Sequence, residues 1–160
     1  MVDAPQRFPV GGSERSAPAH ERLGAVDPAA TTTLTIYLRG SDPPSPGAAG
    51  GPHLSREDYE AAHGASAADI EAVRTFAAAH GLGVGAVHRA RRSIELTGTV
   101  AALAAAFGTE VARYRGPDGG EYRGREGPLT VPAALAPLVT AVFGLDDRPQ
   151  ARTQFRPRAA

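Results

Sequence analysis

An α+β fold with the ferredoxin-like order of elements is predicted by three features of this chain. Thr31 to Leu38 alternates as a half-buried strand does, with Leu34, Ile36 and Leu38 on one side and Thr33, Thr35 and Tyr37 on the other. Two stretches with helix-capping signals follow it, opened by Ser55 and Ser66. Ser93 to Arg115 then supplies a strand, a short helix and a further strand in quick succession. The order strand, helices, strand, strand, helix, strand packs helices on one face of an antiparallel sheet. The opposite face, carrying Thr35, Tyr37 and Glu95, is left for solvent or a partner.

Taken in order, residues 1–30 are rich in Pro, Gly, Ser and charge, with Phe8, Val10, Leu23 and Val26 as anchors. They read as an irregular N-terminal arm draped over a surface. After the first strand, Gly40 to His53 is a loop by composition. Ser55 opens a helix with Asp58 as its capping-box partner, ending near His63 and Gly64; Ser66 and Asp69 repeat the device. The second helix places Ile70, Val73, Phe76 and Ala77 on one side and closes at His80 and Gly81. Leu82 to Arg89 alternates weakly and reads as a strand that turns through Arg89 to Arg92 into the next, where Ile94 and Leu96 face a core.

Thr99 caps the following helix, in which Val100, Leu103, Ala104 and Phe107 share a face, and Gly108 takes the left-handed position at its end. Thr109 to Arg115 is expected as the fourth strand. The turn Gly116 to Gly120 lets Glu121 to Arg123 pair back on it. Pro132 suits the first turn of a final helix with the stripe Leu135, Leu138, Val139 and Val142, kinked by Pro137 or delayed to Ala136, and ended by Gly144. Asp146 to Ala160 is polar and basic without periodicity. The predicted organisation is therefore an arm over 1–30, one domain over 31–145 and a linker over 146–160.

Composition narrows the function classes. A 42% hydrophobic content is enough for one core, while 19 Gly and 14 Pro predict irregular segments beside it. Seventeen basic residues balance seventeen acidic ones, which argues against a general nucleic-acid or membrane-surface binder. The chain has no cysteine, so disulfides and thiol chemistry are excluded. No apolar run reaches the length of a membrane span, and the N-terminus lacks the apolar stretch of a signal peptide.

Gly81, Gly83 and Gly85 precede no helix and read as a turn rather than a nucleotide loop. His80 and His88 have no third ligand nearby, so no metal site is expected. No nucleophile and base are paired by motif, so the chain is expected to have no catalytic residues and not to act as an enzyme.

The blocks LTGTVAALAAAFGTEVARYR, GGEYRGREGPLTVPAAL and AVFGLDDRPQAR resemble the activation pro-segment of the sedolisin or kumamolisin family of serine-carboxyl peptidases. HLSREDYEAAHGAS and GSERSAPAHERLGAVDP resemble earlier parts of the same segments, so the similarity covers most of the chain. The resemblance implies a ferredoxin-like pro-domain that helps its peptidase fold, inhibits it, and is removed by acid-triggered autoprocessing. It also implies that Arg148, Gln150, Arg152 and Phe155 belong to a linker near the catalytic cleft. The chain has no Gly-Thr-Ser and no Glu-x-x-x-Asp of the family's catalytic set. It ends where the peptidase domain is expected to begin. The family's calcium site would lie in that domain, so no cofactor is expected here.

The partner implied is a sedolisin-type catalytic domain, in cis or in trans, with no nucleic acid and no membrane. A secreted location follows from the resemblance, whereas the lack of a signal peptide leaves a cytoplasmic one open. The docking candidates are Tyr37 and Glu95 on the open face, Arg113, Arg115, Arg123 and Arg125, and Asp146 and Asp147, together with the final helix. The alternative reading is a ferredoxin-like RNA- or small-molecule-binding regulatory module: Arg89, Arg91 and Arg92 raise the RNA-binding form, while the small-molecule form rests on the fold alone and has no ligand fingerprint here. The RNA-binding form is weakened by the lack of aromatic residues on Val84 to Arg89 and Ser93 to Thr97, where such RNA modules stack bases.

Overall fold

The computed structural model describes residues 6–40 and 54–149. Its elements are β1 (Arg7–Pro9), β2 (Arg22–Ala25), β3 (Thr31–Leu38), α1 (Arg56–His63), α2 (Ala67–Ala79), β4 (Gly83–His88), β5 (Ser93–Thr99), α3 (Val100–Ala106), β6 (Ala112–Arg115), β7 (Glu121–Gly124), β8 (Thr130–Pro132) and β9 (Val139–Phe143). The predicted loop lies outside the described residues from position 41 to 53.

The central sheet has four antiparallel strands in the order β4-β5-β3-β9. Its hairpin β4–β5 is flanked by helical crossovers, which is the ferredoxin-like arrangement, and the fold is α+β as predicted. Leu34, Ile36, Ile94 and Leu96 line one face and are almost fully buried. They pack with Val73 and Phe76 of α2 and with Val100, Leu103 and Phe107 at α3. The rings of Phe76 and Phe107 meet edge to face with centroids 5.5 Å apart.

Each helix starts where its capping residue stands. The hydroxyls of Ser55, Ser66 and Thr99 accept the amides of Asp58, Asp69 and Ala102 at 3.0, 3.0 and 3.1 Å. Gly108 follows α3 with φ of 60°, the left-handed conformation that ends a helix cheaply only in glycine. The weak alternation before His88 has its cause in a bulge: Val84 pairs with Leu96 and Val87 with Ile94, so two residues on β4, Gly85 and Ala86, stand against one on β5, Glu95.

Two expectations are corrected. The fourth strand of the central sheet is β9, not Thr109 to Arg115, of which Ala112–Arg115 form β6 in another sheet. The sequence of β6, ARYR, offers no branched aliphatic side chain to a core, whereas β9, VTAVF, buries Val139 and Val142. The final helix over Pro132 to Gly144 is also absent. Leu135, Leu138, Val139 and Val142 are all buried, but the first two sit in a short run of turns and the last two on β9. Pro137 has no amide with which to continue a helix, and Val139, Thr140, Val142 and Phe143 favour a strand.

The N-terminal arm is more ordered than its composition predicts. β1 pairs with β8, and β2 joins β6 and β7 in a separate three-stranded sheet, with β7 pairing back on β6 as expected. Val10 is buried and its amide bonds the Leu129 carbonyl at 2.8 Å. Among the described residues no helix is long and apolar enough to cross a membrane.

Gly144 ends β9 with φ of 118°, and a Cβ there would stand 2.8 Å from the Thr33 carbonyl oxygen and 2.9 Å from the Leu34 Cα. Backbone cannot yield as a side chain does. Gly144→Ala should therefore destabilise the fold by about 2 kcal/mol or more, read as a lower midpoint in denaturant.

Candidate interaction face and the base of the C-terminal segment

The sheet face away from the helices carries Thr33, Thr35 and Tyr37 of β3, Glu95 and Thr97 of β5, and Phe143 of β9. Register sets this grouping, because Thr35 lies opposite both Glu95 and Phe143, and Thr33 opposite Thr97. Tyr37 is 39% and Phe143 55% exposed, and their rings meet at 79° with centroids 5.9 Å apart. Gly85 on β4 leaves room for the Glu95 carboxylate, since a Cβ there would stand 3.3 Å from its Oε2. The face thus presents an aromatic pair beside hydroxyls and one carboxylate. The reading of the final segment as a helix hid Phe143, and the alternation of VTAVF was the signal that could have revealed it.

The arginines named from the sequence fall into two groups. Arg113 meets Glu121 at 3.1 Å, Arg115 meets Glu21 at 3.0 Å, and Arg123 meets Asp147 at 3.1 Å. These pairs are partly or largely exposed and contribute roughly 0–1 kcal/mol each. Arg125 differs. It is 4% exposed, and its guanidinium donates to the carbonyls of Gly127 at 2.6 Å and Ser13 at 2.7 Å. This side chain is turned inward and ties the connection after β7 to the N-terminal arm.

Asp146 and Arg148 close the described chain. The Arg148 guanidinium donates Nε to both carboxylate oxygens of Asp146 at 3.0 Å and Nη2 to Oδ2 at 2.7 Å. The amides of Arg148 and Arg125 donate to the same carboxylate at 3.0 and 3.2 Å. Burial pushes the Asp146 carboxyl up, but the Arg148 side chain, the two amides and the Arg148 charge outweigh it and hold the group below its ordinary value. Burial lowers Arg125, and the charge of Arg15 lowers it further.

Gln150, Arg152 and Phe155 lie outside the described residues. Among the described residues no three His, Asp or Glu side chains converge as metal ligands would. The ring of His80 packs on Phe76 at 4.7 Å. Arg89 donates to the Ala65 carbonyl at 3.3 Å, and Arg92 holds a left-handed conformation in the β4–β5 turn.

A family model described as the pro-kumamolisin activation domain matches residues 41–148. The chain belongs to that family. Kumamolisin from Bacillus sp. (strain MN-32) is 49% identical over 106 residues, which are 66% of this chain and 19% of the relative. A tripeptidyl-peptidase, sed5, from Aspergillus fumigatus is 27% identical over 170 residues, which are 88% of this chain and 29% of the relative. The chain thus spans less than a third of the length of either relative. The family match begins at position 41, so the arm and β3 lie before it.

Proposed function

We propose that this chain inhibits a sedolisin-type serine-carboxyl endopeptidase and assists its folding, and that acid-triggered autoprocessing removes it. The open face of the central sheet, with Tyr37, Glu95 and Phe143, is the docking surface. The segment after Pro149, with Gln150, Arg152 and Phe155, runs toward the catalytic cleft. The observation that carries this reading is an exposed aromatic pair on the helix-free sheet face of a chain belonging to the pro-kumamolisin family. Exposed aromatics at a patch centre are the residue types that anchor protein interfaces. Glu95 beside them opposes phosphate, which favours a protein partner over RNA.

Covalent linkage to the peptidase would raise the local concentration of the blocking segment to about the millimolar range, so modest affinity suffices in cis. A separate chain needs tighter contacts. Export with the peptidase belongs to the same proposal.

Association is the test. Mixed near neutral pH with a sedolisin-type catalytic domain whose nucleophile has been replaced, the folded chain should elute with it as a one-to-one complex. Separate elution at micromolar concentrations would refute the reading.

A further inference from the structure

The end of β9 runs through Gly144 and Leu145 directly into the Asp146 and Arg148 cluster, beside a cleft of about 260 Å³ lined by Arg15, Arg125, Leu129 and Phe143 among others. We propose that Asp146 and Arg148 form a latch that ties the base of the C-terminal segment to the N-terminal arm and opens when the Asp146 carboxylate is protonated. Its consequence for activation rests on the pro-domain reading above. The latch itself does not.

The connections define its parts. Arg148 spends Nε and Nη2 on Asp146, and it also donates Nη1 to the Ser16 carbonyl at 3.0 Å and Nη2 to the Arg125 carbonyl at 2.6 Å. One guanidinium therefore joins three segments: the arm, the connection after β7, and the chain just before Pro149. Arg125 reinforces the joint through Ser13, and Arg15 and Gly127 exchange two backbone hydrogen bonds at 3.2 and 2.8 Å. The Asp146 side chain is only 7% exposed, and all its acceptor capacity is directed at Arg148 and Arg125.

The charges around Asp146 give the switch its direction. Arg148 comes from its own segment, Arg125 from the connection after β7, and Arg15 with Glu14 from the arm. Tyr122 of β7 and Tyr114 of β6 also face Arg148. Asp147 is occupied by Arg123. Protonating Asp146 removes the anion whose charge offsets those of both Arg148 and Arg125, and leaves two cations with like-charge repulsion. Because the folded carboxyl is held below the ordinary aspartate value of 3.8, the latch is present above that value and lost as pH falls through the lowered one. His20, which meets the Tyr122 hydroxyl at 3.0 Å, is one step further away.

The test uses the full chain without any peptidase, so failure of the latch and failure of inhibition are separate results. The Arg148 Nε–H resonance, assigned by its loss in Arg148→Lys, should be protected from exchange near neutral pH. It should disappear in acid while the amides of Leu103 and Phe107 stay protected, and His20→Gln should leave that transition in place. In Asp146→Asn it should be missing already at neutral pH. A protected signal in Asp146→Asn, or a wild-type signal lost only together with the core amides, would overturn the proposal. Should Asp146→Asn fail to fold, Arg148→Gln decides: the carboxyl carbon of Asp146 should then titrate at a higher pH than in the wild type, and an unmoved titration would overturn the latch.

Discussion

Replacing Tyr37 and Phe143 together by serine will weaken inhibition of a sedolisin-type peptidase by about a hundredfold and leave the melting temperature nearly unchanged. The two side chains expose 39% and 55% of their surface, so their loss removes little from the core. Surface changes of this kind stay within about 0.5 kcal/mol. On the interface side the argument reverses. Two adjacent aromatic side chains covered by a docked partner would each anchor the complex by well over 1 kcal/mol, and about 1.4 kcal/mol is a factor of ten in affinity. Their edge-to-face contact makes the serine pair, rather than either single change, the cleaner experiment. An unchanged inhibition constant in the double variant would place the docking surface elsewhere on the domain.

The largest loss of stability is expected from Phe107→Ala, with Leu103→Ala close behind. Both side chains have no solvent exposure, and Phe107 bridges the end of α3 to Phe76 of α2. Deleting either leaves a void that backbone on a four-stranded sheet cannot collapse to fill. The cost is about 3 kcal/mol or more for each, which for a chain of this size lowers the melting temperature by roughly 10 °C. Thermal unfolding followed by circular dichroism measures it directly. Unaltered melting of both variants would contradict the assignment of α3 to the core.

These two predictions also mark where the sequence was legible. Phe107 and Leu103 were visible because their spacing fits only one face of a capped helix, with Thr99 at one end and Gly108 at the other. The strand at Thr31 to Leu38 and its open face were equally visible from strict alternation. The fourth strand was not. Leu135, Leu138, Val139 and Val142 satisfy a helical stripe and a turn followed by a strand at once, and only tertiary pairing with β3 decides between them. With that choice went Phe143, half of the aromatic pair.

The arm illustrates a second limit. Phe8 and Val10 showed as possible anchors, but β1 and β2 pair with strands more than eighty residues away, and no local pattern encodes such partners. The arginines illustrate a third. Composition cannot distinguish Arg125, buried on backbone carbonyls, from Arg113 and Arg115 in exposed pairs. Asp146 and Arg148 stood in a polar, basic segment without periodicity, and only their convergence with Ser16 and Arg125 gives them a shared task.

The central claim is that this activation domain blocks a catalytic domain and lets go in acid. Titrating the purified chain into a mature sedolisin-type peptidase, and following residual activity near neutral pH and again at acidic pH, tests it most directly. Tight inhibition near neutrality that is relieved in acid is the predicted result. Inhibition that persists unchanged into acid, or a folded chain that inhibits at neither pH, would contradict the account.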